Sequence, residues 1–136
     1  AKISTSTSAS DGQELIDTRI LCAVRCAPPD NKPTTDEKVT CSDFFTNEIA
    51  LLLPTARSFV ALGKLAWDSI SVTLKNLAAD SITTPKFGHG EEFSFVGPDG
   101  VKRVVIGSYH PSQQNTFTGK LTVKMLDAVI KNAAKF

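Results

Sequence analysis

The apolar positions of this chain follow two patterns: short continuous runs, typical of buried strands, and spaced positions, typical of amphipathic helices. Continuous runs predict buried strands at residues 19–25, 58–62 and 102–106. Apolar residues three and four positions apart predict three helices, with core faces at Phe45, Ile49 and Leu52, at Ala66, Ile70, Leu74 and Leu77, and at Met125, Leu126, Val129, Ile130 and Ala133. Strands and helices therefore alternate along the chain.

Turn and capping residues set the boundaries of these elements. Pro28, Pro29 and Pro33 interrupt regular structure, and Thr34 with Glu37 predicts a capping box at the start of the first helix. The sequence Gly-Pro-Asp-Gly at 97–100 predicts the turn of a hairpin between residues 92–96 and 102–106. This order predicts an α/β fold, a three-layer sandwich with a mainly parallel central sheet flanked by helices.

The length of 136 residues suits one packed domain, which we place at residues 12–136. Residues 1–11 are rich in serine and threonine and predict a flexible tail. The 15 basic and 14 acidic residues nearly cancel, so nucleic acid binding would need a local patch rather than the overall charge. No apolar run approaches the roughly 20 residues that cross a bilayer, so we expect no membrane partner.

The loop between the strand that ends near Ile106 and the helix that begins after Thr122 holds the strongest candidate for chemistry, His110. In open α/β sheets ligands bind at the carboxyl ends of strands, where the first N–H groups of a helix can hold an anion such as phosphate. His89 lies between two glycines and ranks second, because a fold role is the commoner use of such a histidine.

The sequence of residues 108–122, Ser-Tyr-His-Pro-Ser-Gln-Gln-Asn-Thr-Phe-Thr-Gly-Lys-Leu-Thr, resembles a signature motif of the iron–sulfur branch of the uracil-DNA glycosylases, in particular its type 5 members. Residues 19–41, 61–66 and 87–90 are similar to three further landmarks of that family, in the same order. The resemblance runs from about residue 12 to the end of the chain.

The resemblance implies a hydrolase that cleaves the N-glycosidic bond of a flipped-out deoxyuridine in base excision repair, with uracil-containing DNA as its partner. His110 would be the catalytic donor to O2 of the departing uracil anion. The predicted contacts to DNA or substrate are Ser112, Gln114, Asn115, Thr118, Gly119, Lys120 and His89, with Leu121 or Phe117 as the wedge that fills the gap in the duplex. In the alternative interpretation, Ser112, Asn115 and Thr118 only satisfy turn and cap hydrogen bonds, and Leu121 only begins a helix core.

Cysteines at positions 22, 26 and 41 leave two interpretations open. Composition alone favours free thiols that behave as small apolar side chains. The resemblance instead implies that Cys26 and Cys41 are metal ligands of a 4Fe-4S cluster, for which the family's earlier Cys-x-x-Cys pair does not occur here. Two of the four ligands are therefore present, and the cluster would need others.

Two departures from the family pattern leave enzymatic activity an open question. The family's first motif, with an acidic residue that activates water, does not occur here, and Cys22 stands where some relatives have a base-reading asparagine. We therefore expect the carboxyl-terminal part of the family fold, completed by an amino-terminal segment or a partner chain.

Two alternatives to an active glycosylase follow from the sequence. One is a catalytically inactive scaffold that binds nucleic acid or helps to assemble a ribonucleoprotein, and the other is a domain that binds a phosphorylated metabolite. The expected location is the cytoplasm, in association with the nucleoid, if the source is bacterial or archaeal, with an organelle as the alternative.

Overall fold

The computed structural model describes residue 5 and residues 7–25 and 33–136. Its elements, in chain order, are α1 Thr35–Leu52, β1 Ser58–Leu62, α2 Lys64–Leu77, β2 Glu92–Val96, β3 Lys102–Ser108, α3 Gln113–Phe117 and α4 Val123–Ala133. The α/β prediction is confirmed in a coarser form. A small sheet is flanked by helices, but its three described strands form a mixed sheet, with one parallel and one antiparallel pair.

Strand β3 lies in the middle of the sheet, in the order β1-β3-β2. It runs parallel to β1, with Ser58 opposite Val104 and Leu62 opposite Ser108. It runs antiparallel to β2, which confirms the predicted hairpin. The carboxyl ends of β1 and β3 therefore meet at one edge of the sheet.

The alternating side chains of β3 separate two apolar layers. Val105 packs in a cluster with residues of α1 and α2, whereas Val104 and Ile106 pack with Val129 and Ala133 of α4. Helices thus cover both faces of the sheet. The Oγ of Ser58 also donates to the carbonyl oxygen of Ala133 at 2.8 Å, which ties the end of α4 to the start of β1.

The predicted helix starts are confirmed. The side chains of Thr34 and Glu37 form the capping box of α1, and the Oγ1 of Thr122 accepts the N–H of Met125 at the start of α4. Within the part of the chain that the structure describes, no helix is both long and apolar enough to cross a membrane.

The predicted strand at residues 19–25 is wrong, because none of these residues is in a strand and Ile20 is 72% exposed. Leu21 and Ala23 pack against the core, while Arg19 and Arg25 form ion pairs with Glu48 of α1. The segment is therefore held by side chains. A continuous apolar run indicates burial but supplies no partner strand, and a strand needs one for its backbone hydrogen bonds.

Candidate active site

The site lies where β1 and β3 end side by side. The N–H of Gly63 donates to the carbonyl oxygen of Ser108 at 2.7 Å, so the start of α2 is joined to the end of β3. Gly63 has a φ of +89°, a conformation that favours glycine, and it turns the chain directly from β1 into α2. The segment after β3 therefore runs beside the amino-terminal end of α2.

His110 is exposed at this edge, with a hydrogen bond to its carbonyl oxygen and Gly63 close to its Cβ. The Nδ2 of Asn115 donates to the carbonyl oxygen of His110 at 2.8 Å. On the other side, a Cβ added to Gly63 would lie 3.1 Å from the Cβ of His110, so the absence of a side chain at Gly63 makes room for the histidine. The imidazole is therefore presented to solvent from an ordered backbone.

The loop after His110 contains a helix, α3, that the sequence did not predict. The Oγ of Ser112 accepts the N–H of Asn115 at 3.3 Å and caps this helix, and the Oγ1 of Thr118 donates to the carbonyl oxygen of Gln114 at 2.6 Å. Ser112, Asn115 and Thr118 thus make local hydrogen bonds, as expected in the alternative interpretation in which they only satisfy turn and cap hydrogen bonds. Their contacts with DNA stay a prediction, as does that of Gln114, which is exposed.

The two candidate wedges differ in position. Phe117, at the end of α3, is 84% exposed, whereas Leu121 is buried at 3% and its N–H donates to the carbonyl oxygen of Asn115 at 2.9 Å. Of the two side chains, only that of Phe117 is exposed enough to enter a duplex. Burial of Leu121 favours the interpretation in which it packs the fold.

Gly119 and Lys120 lie between α3 and α4. Gly119 has a φ of +71°, and a Cβ added there would meet no atom within 4 Å, so the space beside its Cα is open. Its N–H donates to the carbonyl oxygen of Thr116 at 3.2 Å. The Nζ of Lys120 lies 5.0 Å from the centroid of the Tyr109 ring, a cation–π arrangement that holds the charge near the site. The charge of Lys120 suits a phosphate oxygen, and the glycine beside it lets a DNA strand approach closely.

His89 packs against the residue that precedes His110. Its Nδ1 accepts the N–H of Tyr109 at 3.3 Å, and the Oγ of Ser108 lies 3.5 Å from the same nitrogen. The rings of His89 and Tyr109 are 5.1 Å apart, and Phe87 contacts the Tyr109 ring edge-on.

Sequence reasoning gave no role to Tyr109 or Gly63. A glycine between a strand and a helix is the one signal that could have pointed to Gly63.

The cysteines fall in different surroundings. Cys41 lies in α1 and is half-buried, Cys22 is exposed, and Cys26 lies outside the described residues. In residues 7–25 and 33–136, no group of three or more histidine, cysteine or acidic side chains is close enough to hold a metal ion. The predicted cluster therefore stays a prediction.

Comparison with known proteins gives consistent matches. Residues 5–134 match the family described as "Uracil DNA glycosylase superfamily". The chain is 43% identical over 130 residues to the "Type-5 uracil-DNA glycosylase" of Mycobacterium tuberculosis, covering 96% of the chain and 46% of that protein. It is 44% identical over 129 residues to the protein of the same name from Pyrobaculum aerophilum, covering 95% of the chain and 51% of that protein.

A third match, of 37% identity over 125 residues, is to the type-5 uracil-DNA glycosylase of Thermus thermophilus, covering 92% of the chain and 53% of that protein. The chain therefore spans about half the length of the curated relatives that it matches.

Proposed function

The chain belongs to the uracil DNA glycosylase superfamily, and we propose that it is the part of a uracil-DNA glycosylase that carries the leaving-group donor. The reaction is hydrolysis of the N-glycosidic bond of a deoxyuridine flipped out of the DNA helix. The observation that carries the proposal is the position of His110, exposed at the carboxyl ends of two parallel strands, with its carbonyl oxygen bonded by Asn115 and its Cβ beside Gly63.

Cleavage of the glycosidic bond is favoured by a hydrogen-bond donor at this position. When the glycosidic bond breaks, uracil leaves as an anion and negative charge grows on O2 in the transition state. A donor aimed at O2 binds the transition state more strongly than the substrate, and that difference accelerates the reaction. The imidazole of His110 supplies the donor. We assign no residue of this chain to activation of the attacking water.

Residues around His110 would hold the DNA strand. Ser112, Gln114 and Thr118 offer polar side chains, Gly119 has no side chain to obstruct the strand, and the ammonium of Lys120 offers charge to phosphate oxygens. Phe117 would fill the gap that the flipped nucleotide leaves. The matched relatives are bacterial and archaeal, so the proposed substrate is the DNA of a nucleoid.

We further propose that Cys26 and Cys41 provide two ligands of a 4Fe-4S cluster, because the resemblance of residues 19–41 implies that pair. The described residues supply no set of ligands that completes such a site, so the other ligands would come from a longer polypeptide or a partner. Iron and sulfide content of the complete protein tests this. Cys41→Ser should lower both, and the control Cys22→Ser should leave them unchanged.

An excision assay tests the main proposal. The complete protein is incubated with an oligonucleotide that contains one uracil, and abasic sites are revealed by alkaline strand cleavage. Product from the uracil strand, but not from the matched thymine strand, supports the proposal. DNA binding without product would instead support the alternative, a catalytically inactive nucleic-acid-binding scaffold, and would contradict a catalytic role for His110.

A further inference from the structure

A cleft of about 520 Å³ lies between α2 and residues 84–87, beside the proposed site. Trp67 and Phe87 form part of its wall. They pack edge-on with ring centroids 6.0 Å apart, and the Nε1 of Trp67 donates to the carbonyl oxygen of Pro85 at 3.3 Å. These contacts fix residues 85–87 against α2, so packed side chains set the shape of the cleft.

Cationic side chains surround the cleft. It is lined by three lysines, Lys64, Lys75 and Lys86, and by one acidic residue, Asp68, which pairs with Lys64. Within the described part of the chain, neither Lys75 nor Lys86 has an ion-pair partner. Three lysines and one aspartate give the lining a formal charge of +2, against +1 for the whole chain, which suits an anion.

Ser71 in the same wall gives an independent indication of a ligand. Its side chain is 6% exposed, and its Oγ is the single buried side-chain nitrogen or oxygen, among the described residues, that lacks a hydrogen-bond partner. Buried hydroxyls are normally paired, so an unpaired one calls for an explanation. A rotation about the Cα–Cβ bond would offer this hydroxyl to an oxygen of a ligand in the cleft.

The cleft follows α2 away from His110. Lys64, Ser71 and Lys75 are separated by about two turns and one turn, so they share one face of α2 and span roughly 16 Å along its axis. The helix begins at Gly63, which contacts His110. At about 3.4 Å of axial rise per nucleotide, this face matches roughly five nucleotides of a DNA strand.

We propose that this cleft binds the phosphodiester backbone of the DNA strand beside the flipped nucleotide, through Lys75, Lys86 and the hydroxyl of Ser71. The inference rests on the proposed function, because that function brings a DNA strand to the adjacent edge. Attraction of Lys75 to the carboxyl end of α2 would explain that lysine alone. It leaves Lys86 and the unpaired hydroxyl unexplained.

The experiment measures binding of the complete protein to a single-stranded oligonucleotide and to a duplex at several salt concentrations, by fluorescence anisotropy. Removal of one lysine that binds a phosphate should reduce the slope of log K against log salt by about 0.7 for a single strand and 0.9 for a duplex. The double variant Lys75→Gln with Lys86→Gln should therefore lower the slope by roughly 1.4 to 1.8. At saturating DNA its excision rate should equal that of the wild type, while KM rises.

The matched control is the double variant Lys131→Gln with Lys135→Gln. It removes the same charge near the end of α4, which packs against the face of the sheet opposite to α2. This control should keep the wild-type slope. A second variant, Ser71→Ala, should raise Tm, because it removes an unpaired buried hydroxyl, and should weaken DNA binding a few-fold without changing the slope.

Equal slopes for the two lysine double variants would overturn the proposal. Competition by inorganic phosphate or a nucleoside monophosphate that depends on Lys75 and Lys86, with unchanged DNA binding, would also overturn it in favour of a small phosphorylated ligand. Failure of the proposed function gives a different result. DNA binding would then still depend on the two lysines, and no uracil would be excised.

Discussion

The Nδ1 of His89 accepts the backbone N–H of Tyr109 at 3.3 Å, one residue before His110. A backbone amide can only donate, so Nδ1 is the acceptor in this bond. The ring of His89 also packs on that of Tyr109, 5.1 Å away. His89 therefore fixes the backbone at Tyr109, and we expect it to act as a positioning residue for His110.

His89→Leu should lower single-turnover excision by roughly fivefold, since the loss of one such hydrogen bond costs about 1 kcal/mol and a tenfold rate change corresponds to about 1.4 kcal/mol. His89→Asn should recover most of the rate, because its Oδ1 can accept the same N–H. Hydrogen exchange at the Tyr109 amide should be fast in the leucine variant and slow in the asparagine variant. Equal rates in both variants would contradict the positioning role.

Gly63→Ala should displace His110, because the added Cβ would lie 3.1 Å from the Cβ of that residue. The matched control is Gly100→Ala in the hairpin turn. Both glycines have a positive φ, but a Cβ at Gly100 meets no atom within 4 Å. Thermal unfolding should show a loss of stability in both variants, and a larger one for Gly63→Ala, because a φ of +89° with a ψ of 167° is a conformation that only glycine adopts readily. Excision should fall strongly in the Gly63 variant alone, and equal activity would contradict the contact.

Phe117→Ala should impair excision from duplex DNA more than from a single strand. A wedge is needed only where a base must be separated from its stack and its partner, a step that costs a few kcal/mol. The ring is 84% exposed, so its removal should change Tm little. Leu121→Ala provides the contrast, because this buried side chain should cost about 2 to 5 kcal/mol of stability. An equal effect of Phe117→Ala on both substrates would contradict the wedge.

Arg103→Met should destabilise the fold by about 2 to 4 kcal/mol, because it leaves buried carbonyl oxygens without donors. The Arg103 side chain is fully buried, and it donates to the carbonyl oxygens of Leu53 and Ala56 and to both carboxylate oxygens of Asp99. Its exposed neighbour gives the control Lys102→Met, which should change stability little. Chemical denaturation measures both, and equal midpoints would contradict the account.

The same ion pair predicts a pH dependence. The hydrogen bond from Arg103 holds the pKa of Asp99 well below its usual range. The ionised carboxylate therefore stabilises the folded protein fully at pH values above the usual aspartate pKa of about 3.9. This stability is lost as the pH falls from there through the lowered pKa of Asp99 in the folded protein. Asp99→Asn should thus be less stable than the wild type by a constant amount from neutral pH to about pH 4. The difference should close at lower pH.

Features coded by neighbouring residues were predictable from the sequence. The capping box of Thr34 and Glu37 and the hairpin turn at residues 97–100 depend on contacts within a few positions, so their residue types reveal them. Helix α3 was missed because five residues are too few to show a helical period, and its cap at Ser112 resembles an ordinary turn.

Features that depend on distant parts of the chain were not predictable. Residues 19–25 are apolar enough for a strand, but whether they form one depends on a neighbouring strand that no local pattern specifies. His110 was identified from its position in a loop and from the resemblance of residues 108–122 to a family motif. Its proximity to Gly63, by contrast, joins residues far apart in sequence. The bond of His89 to Tyr109 likewise required the fold.

The most direct test of the central claim, that His110 stabilises the departing uracil anion, is single-turnover excision by wild type and His110→Ala from two substrates. One contains uracil, and the other contains 5-fluorouracil, whose fluorine stabilises the anion without help from the protein. We predict a loss of about 10² to 10³-fold for uracil, the usual cost of removing one such donor, and a clearly smaller loss for 5-fluorouracil. An equal loss for both bases, or none for uracil, would contradict the account.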